Sequence, residues 1–138
     1  MGRLLYEGLT YRIRGVVFNI YKALGPFHKE SVYQNSLEQE FTKREIPFER
    51  EKILNVYYQG EKVGVYRLDF VIDGKILLEV KAQKILPQSS IKQLYYYLAG
   101  TDYRLGLLVN FGKRDSVEVV RRIVGHGDER SDAEPDSV

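Results

Sequence analysis

Apolar residues recur every three to four positions in some stretches of the chain, and alternate or run together in others. From Gly8 to Leu24, the residues Leu9, Ile13, Val16, Val17, Ile20 and Leu24 fall on one face of a helix. Gly25-Pro26 ends it, because proline cannot continue a helix and steers the residue before it away from helical angles. A second helix is predicted over Lys29 to Glu45, with Val32, Tyr33, Leu37 and Phe41 as its apolar stripe and Ile46-Pro47 as its stop. Glu49 to Tyr58 then alternates loosely and is rich in β-branched and aromatic residues, which predicts a strand ending at the turn Gln59-Gly60. Lys62 to Ile72 and Lys75 to Ala82 read as two further strands joined at Asp73-Gly74. Helical spacing returns from Ser89 to Ala99, with Ile91, Leu94, Tyr95 and Leu98 as the stripe and Gly100 as the stop. Arg104 to Asn110 contains a short apolar run that fits a buried strand, and Gly112 to Ser116 reads as a loop. Val117 to Val124 fits either period, and its valines and isoleucine favour a strand. The order α-α-β-β-β-α-β-β predicts an α/β fold occupying residues 1–125 as a single domain. Residues 126–138 are polar and acidic, and are expected to form a disordered tail.

Three charges break the pattern. The strands around Asp73-Gly74 are apolar on both faces, which marks them as central, yet they carry Asp69, Glu79 and Lys81. A carboxylate in such a place needs a cation or a metal ion, since burying it alone is costly. Glu79 and Lys81 are two apart and share a face. A strict two-residue turn would put Asp69 on the opposite face. A three-residue loop, Ile72-Asp73-Gly74, would pair Val71 with Lys75, set Asp69 across from Leu77 and diagonal to Glu79, and bring all three charges to one face. We expect the three-residue loop or an equivalent bulge. The plainer reading of the same residues is a structural ion pair in the core.

Composition narrows the chemistry. The chain has no cysteine, and its two histidines, His28 and His126, lie far apart. Thiolate and histidine-rich metal sites are thereby excluded, and any ion would be held by oxygen, which suits magnesium or manganese. Net charge is +2, but the last 13 residues hold five acidic residues against one arginine, so the preceding body carries +6. A moderately basic body is compatible with a polyanion. No apolar run reaches the roughly 18 residues of a membrane span. No signal peptide is evident at Met1 to Tyr6, so a cytoplasmic protein is expected. Gln93 and Tyr97 are four apart and project from one helix face, as a surface glutamine and a core-edge tyrosine would. Glu30 sits where a helix dipole favours negative charge.

Together, Glu30-Ser31-Val32-Tyr33, Leu68-Asp69-Phe70, Glu79-Val80-Lys81 and the pair Gln93 and Tyr97 resemble the PD-(D/E)XK nuclease superfamily. Within it they are most similar to the GxxExxY family, and the last pair resembles the Gln-x-x-x-Tyr motif of RecB-type and λ-exonuclease-type members. The likeness covers about Leu9 to Gly112. Leu68 stands where the superfamily name has proline, and Phe27 where the GxxExxY signature has glycine. The resemblance implies a restriction-endonuclease-like core, a central mixed β-sheet flanked by helices, and metal-dependent hydrolysis of phosphodiester bonds in DNA. It implies that Asp69, Glu79 and the main-chain carbonyl of Val80 ligate magnesium, with manganese as an alternative, and that Glu30 serves a second ion or its water. Lys81 would orient or deprotonate the attacking water, Gln93 would hold Lys81 or a phosphate oxygen, and Tyr97 would contact the nucleic-acid backbone. Asp69, Glu79, Lys81 and Gln93 are thus the implied catalytic set. The expected partner is nucleic acid, DNA before RNA, and a homo-oligomer stays open. The competing expectation is a catalytically silent nuclease-like module that binds nucleic acid or serves assembly.

Overall fold

A computed structural model describes residues 4–125 of the chain; the expected tail at 126–138 and His126 lie outside the described residues. Two helices come first, α1 (Glu7–Leu24) and α2 (Glu30–Lys43), followed by strands β1 (Phe48–Tyr58), β2 (Glu61–Ile72) and β3 (Ile76–Lys81). Helix α3 (Gln88–Ala99) then leads to β4 (Leu105–Asn110) and β5 (Glu118–Ile123), so the ambiguous valine-rich segment is a strand. The strands form one mixed sheet in the order β1-β2-β3-β4-β5. All neighbours are antiparallel except β3 and β4, which are parallel. α3 makes the crossover that a parallel pair requires.

Two apolar layers hold the sheet. On one face, Ile13, Val17, Tyr33, Leu37 and Phe41 of α1 and α2 pack with Phe70, Leu78 and Val80. On the other, Leu94, Tyr97 and Leu98 of α3 pack with Val71, Leu77, Leu108 and Val120. β3 and β4 are therefore covered on both sides, which is why their sequences read as nearly continuous apolar runs. The phase of α3 differs from the sequence expectation. Tyr95 is 47% exposed, and Tyr97 takes its place in the buried stripe with Leu94 and Leu98. Three consecutive tyrosines let the apolar stripe start at either phase, and the sheet selects the one that buries Tyr97.

The β2–β3 connection corrects one register. Asp73 and Gly74 have φ of 52° and 63°, and the Lys75 N–H donates to the Ile72 carbonyl at 2.9 Å. Ile72 nevertheless pairs with Ile76, leaving Lys75 as an extra residue and making the connection three residues long. Val71 pairs with Leu77 and not with Lys75, so Asp69 comes into line with Glu79 and not with Leu77. The reason is burial. Val71 is fully buried under α3, and pairing Lys75 with it would draw an ammonium group into the core, whereas the observed register leaves Lys75 exposed and 3.0 Å from Asp73.

Candidate metal centre

The site forms where β2 leaves β3. Ladder pairing between them stops at Phe70↔Leu78, one residue short of Asp69 and Glu79. β2 is irregular at the same point. Leu68 and Val71 both belong to the layer under α3 while Phe70 faces α1 and α2, an arrangement a regular two-residue period cannot give. On the far side, β1 pairs Arg50 with Phe70 and then Lys52 with Leu68, passing over Glu51, whose φ is 55°. The kink opens the sheet around Asp69.

The carboxylates fill the gap by taking backbone donors from the facing strand. The Val80 N–H donates to Asp69 Oδ2 at 2.7 Å, and the Asp69 N–H donates to Glu79 Oε2 at 3.1 Å. Two side chains thus replace ladder bonds that the diverging strands cannot make. Glu79 is only 8% exposed. Burial first, and then the neighbouring charge of Asp69, push its carboxyl up to about 8, against the Asp69 N–H and Lys81, which favour the charged form. Burial also raises the Asp69 carboxyl, opposed by the Val80 N–H, Lys81 and Arg50. Among the described residues neither carboxylate has an ion-pair partner within 4.0 Å. The expectation of a closed core ion pair is therefore not met. The buried Glu79 and the half-buried Asp69 face one another without an ion-pair partner among the described residues.

The surrounding elements bring further groups close. Glu30 opens α2, where Tyr33 anchors the preceding loop. The Tyr33 hydroxyl donates to the Gly25 carbonyl and accepts the His28 N–H at 3.2 Å, while its ring stacks on Phe111 at 4.3 Å. The Glu30 carboxyl is raised by burial and then by Asp69, and Lys81 opposes both. It accepts a hydrogen bond from Gln34 at 3.1 Å. Glu30 stands near the pair, and among the described residues no group of three or more His, Cys, Asp or Glu that could hold a metal ion is gathered. The donor set itself fits a hard divalent ion: carboxylate oxygens from two strands, with the Val80 carbonyl on the intervening backbone.

Lys81 follows Glu79 by two positions at the end of β3 and is half-buried. Its charge acts on Asp69, Glu79 and Glu30, yet its side chain makes no hydrogen bond or ion pair among the described residues. Tyr97 lies against Tyr66, ring centroids 4.5 Å apart, and its hydroxyl is raised by burial and then by Glu79 and Asp69. Gln93 is exposed one turn earlier on α3 and hydrogen-bonds no described residue. The structure thus gathers Asp69, Glu79, Val80, Lys81, Glu30 and Tyr97, and leaves Gln93 at the rim. Two residues escaped the sequence reading. Arg50 bonds Asn35, Glu38 and Gln34 of α2 and bears on Asp69; nothing in its strand pattern signalled this. Asn110 is fully buried at the end of β4, and its only signal was a polar residue closing an apolar run.

A mixed five-stranded sheet with helices on both faces is an α/β core of the restriction-endonuclease-like type. A family model of the PD-(D/E)XK nuclease superfamily matches residues 7–123, and the chain belongs to that superfamily. Its fold is restriction-endonuclease-like. Members are nucleases, which makes nucleic acid the substrate class, and they use divalent metal ions, typically magnesium. No curated protein and no solved structure matches. No helix among the described residues is long and apolar enough to cross a membrane.

Proposed function

We propose that this chain hydrolyses phosphodiester bonds in DNA, using magnesium held by Asp69, Glu79 and the Val80 carbonyl. Manganese would serve as a substitute. The observation that carries the reading is the pair of carboxylates where β2 leaves β3, Glu79 buried and Asp69 half-buried, held by the Asp69 and Val80 N–H groups and both raised above their ordinary range. A divalent cation relieves that arrangement better than any side chain present. When bound, the ion supplies Lewis-acid polarisation of the scissile phosphate and a more acidic water.

The chain's own groups then have distinct tasks. Asp69 and Glu79 must both be ionised to hold the cation. Lys81 is left without a partner side chain in the described residues, and so is available to orient the attacking water, favour its deprotonation, or offset charge on the phosphoryl oxygens. Glu30, raised but half-exposed, would serve a second ion or an ordered water. Tyr97 keeps its proton and can donate to a phosphate oxygen. Gln93 would contact the nucleic-acid backbone from the rim or close onto Lys81 once substrate is present. These roles follow the GxxExxY and Gln-x-x-x-Tyr patterns of the sequence. DNA is preferred because the latter pattern resembles that of DNA end-processing enzymes.

Asp69→Ala, Glu79→Ala and Lys81→Ala are each expected to lower cleavage of labelled DNA by at least about a thousandfold, consistent with loss of a central electrostatic group. Circular dichroism should show the fold intact. Cleavage at the wild-type rate by purified Lys81→Ala, or activity indifferent to EDTA, contradicts the assignment. Labelled RNA in the same assay decides between the two nucleic acids.

A further inference from the structure

Lys81 has no side chain holding it, so its position depends on its backbone. The end of β3 is fastened by one residue. Asn110, fully buried at the end of β4, pairs with Lys81 in the parallel ladder. Its Oδ1 accepts the Gln83 N–H at 2.9 Å and the Gly112 N–H at 3.1 Å. Its Nδ2 donates to the Gln83 carbonyl at 2.8 Å and to Glu118 Oε1 at 3.2 Å. Every polar valence of the amide is used. The Phe111 N–H adds a bond to the Lys81 carbonyl itself, at 2.8 Å.

Gly112 completes the fastening. A Cβ there would lie 2.2 Å from the Gln83 nitrogen and 2.5 Å from the Ala82 carbonyl carbon, so any side chain would force the two segments apart. An amide that takes both the N–H and the carbonyl of Gln83 continues the strand pairing past the last ladder rung. It stops the chain from fraying where Lys81 emerges.

We infer that Asn110 is a positioning residue for Lys81: through Gln83 and the close approach at Gly112, it fixes the backbone from which the lysine reaches the carboxylates. This rests on the proposed role of Lys81 in hydrolysis. It also gives a buried residue of β4 the holding task that the sequence pattern assigned to Gln93.

The test compares kcat and KM for DNA cleavage at saturating magnesium in wild type, Asn110→Ala, Asn110→Asp and Gly112→Ala. Ile13→Ala, a core change in α1 far along the chain from β3, is the stability control. Assays run at a temperature where circular dichroism shows each variant folded. Asn110→Asp keeps both acceptor bonds but sets a carboxylate against the Gln83 carbonyl and Glu118, and so covers the case in which the alanine variant does not fold. The Asn110 and Gly112 variants should lose at least about tenfold in kcat with KM within about twofold, as expected when a reacting group is misplaced after binding. The magnesium-induced rise in thermal midpoint should survive, since Asp69 and Glu79 are untouched, and Ile13→Ala should keep its kcat. Wild-type kcat in folded Asn110 variants, a loss confined to KM, or an equal fall in Ile13→Ala overturns the inference while leaving the nuclease reading intact. Wild-type protein that cleaves nothing overturns both.

Discussion

At the scale of single residues, Glu79 carries the sharpest tension. Folding keeps its proton on to about 8, against an ordinary value of 4.5. The unfolded chain therefore releases that proton first as pH rises. Because the native state then binds more protons, metal-free stability must fall from about pH 4.5 to about pH 8 and level off above. Asp69, raised for the same reason of burial, adds in the same direction. Glu79→Gln removes most of the slope, and at pH 8 without metal it should melt several degrees above wild type. Thermal melts across pH 5 to 9 check this, and a wild-type midpoint that climbs over that range would contradict it. Under the proposed function magnesium would act oppositely, binding the ionised pair and stabilising more strongly at higher pH. Both charges were visible in the sequence as interruptions of greasy strands. Their hold on the Val80 and Asp69 N–H groups was not, since it depends on the kink at Asp69 that opens the ladder.

At the scale of elements, the sequence pattern located every helix and strand to within about two residues, because the period of apolar positions follows directly from helix and strand geometry. It did less well on phase and register. The stripe on α3 could begin with either tyrosine, and packing on the sheet chose Tyr97, which brings a phenol beside the carboxylates. The β2–β3 connection had the expected length, but its register moved so that Lys75 stayed in water and Asp69 met Glu79. Asn110 looked like an ordinary strand end, since hydrogen bonds to a backbone 27 positions away leave no trace in local periodicity. The contact between α3 and β4 depends on Gly106. A Cβ there would come within 2.7 Å of Leu94 Cδ1 and 3.1 Å of its Cγ. Gly106→Ala should cost about 1–3 kcal/mol by overpacking and tilt the helix that bears Tyr97. Urea unfolding measures the first effect, and a stability equal to wild type would show that the helix yields freely.

For the whole molecule, the layers explain why the site lies where it does. α1 and α2 cover one face of the sheet and α3 the other, so β3 is enclosed on both sides and Glu79 lies desolvated within it. Enclosure raises the cost of leaving Asp69 and Glu79 without a counter-charge, and they lie where the ladder between β2 and β3 ends. Under the proposed function, that is where a cation would bind. The most direct test is a crystal soaked with manganese and measured at an energy where the metal scatters anomalously. The account predicts an anomalous peak between the Asp69 and Glu79 carboxylates, within coordinating distance of the Val80 carbonyl, that disappears in Glu79→Gln. Carboxylates that stay bonded to the Val80 and Asp69 N–H groups with no peak between them at saturating manganese would contradict it.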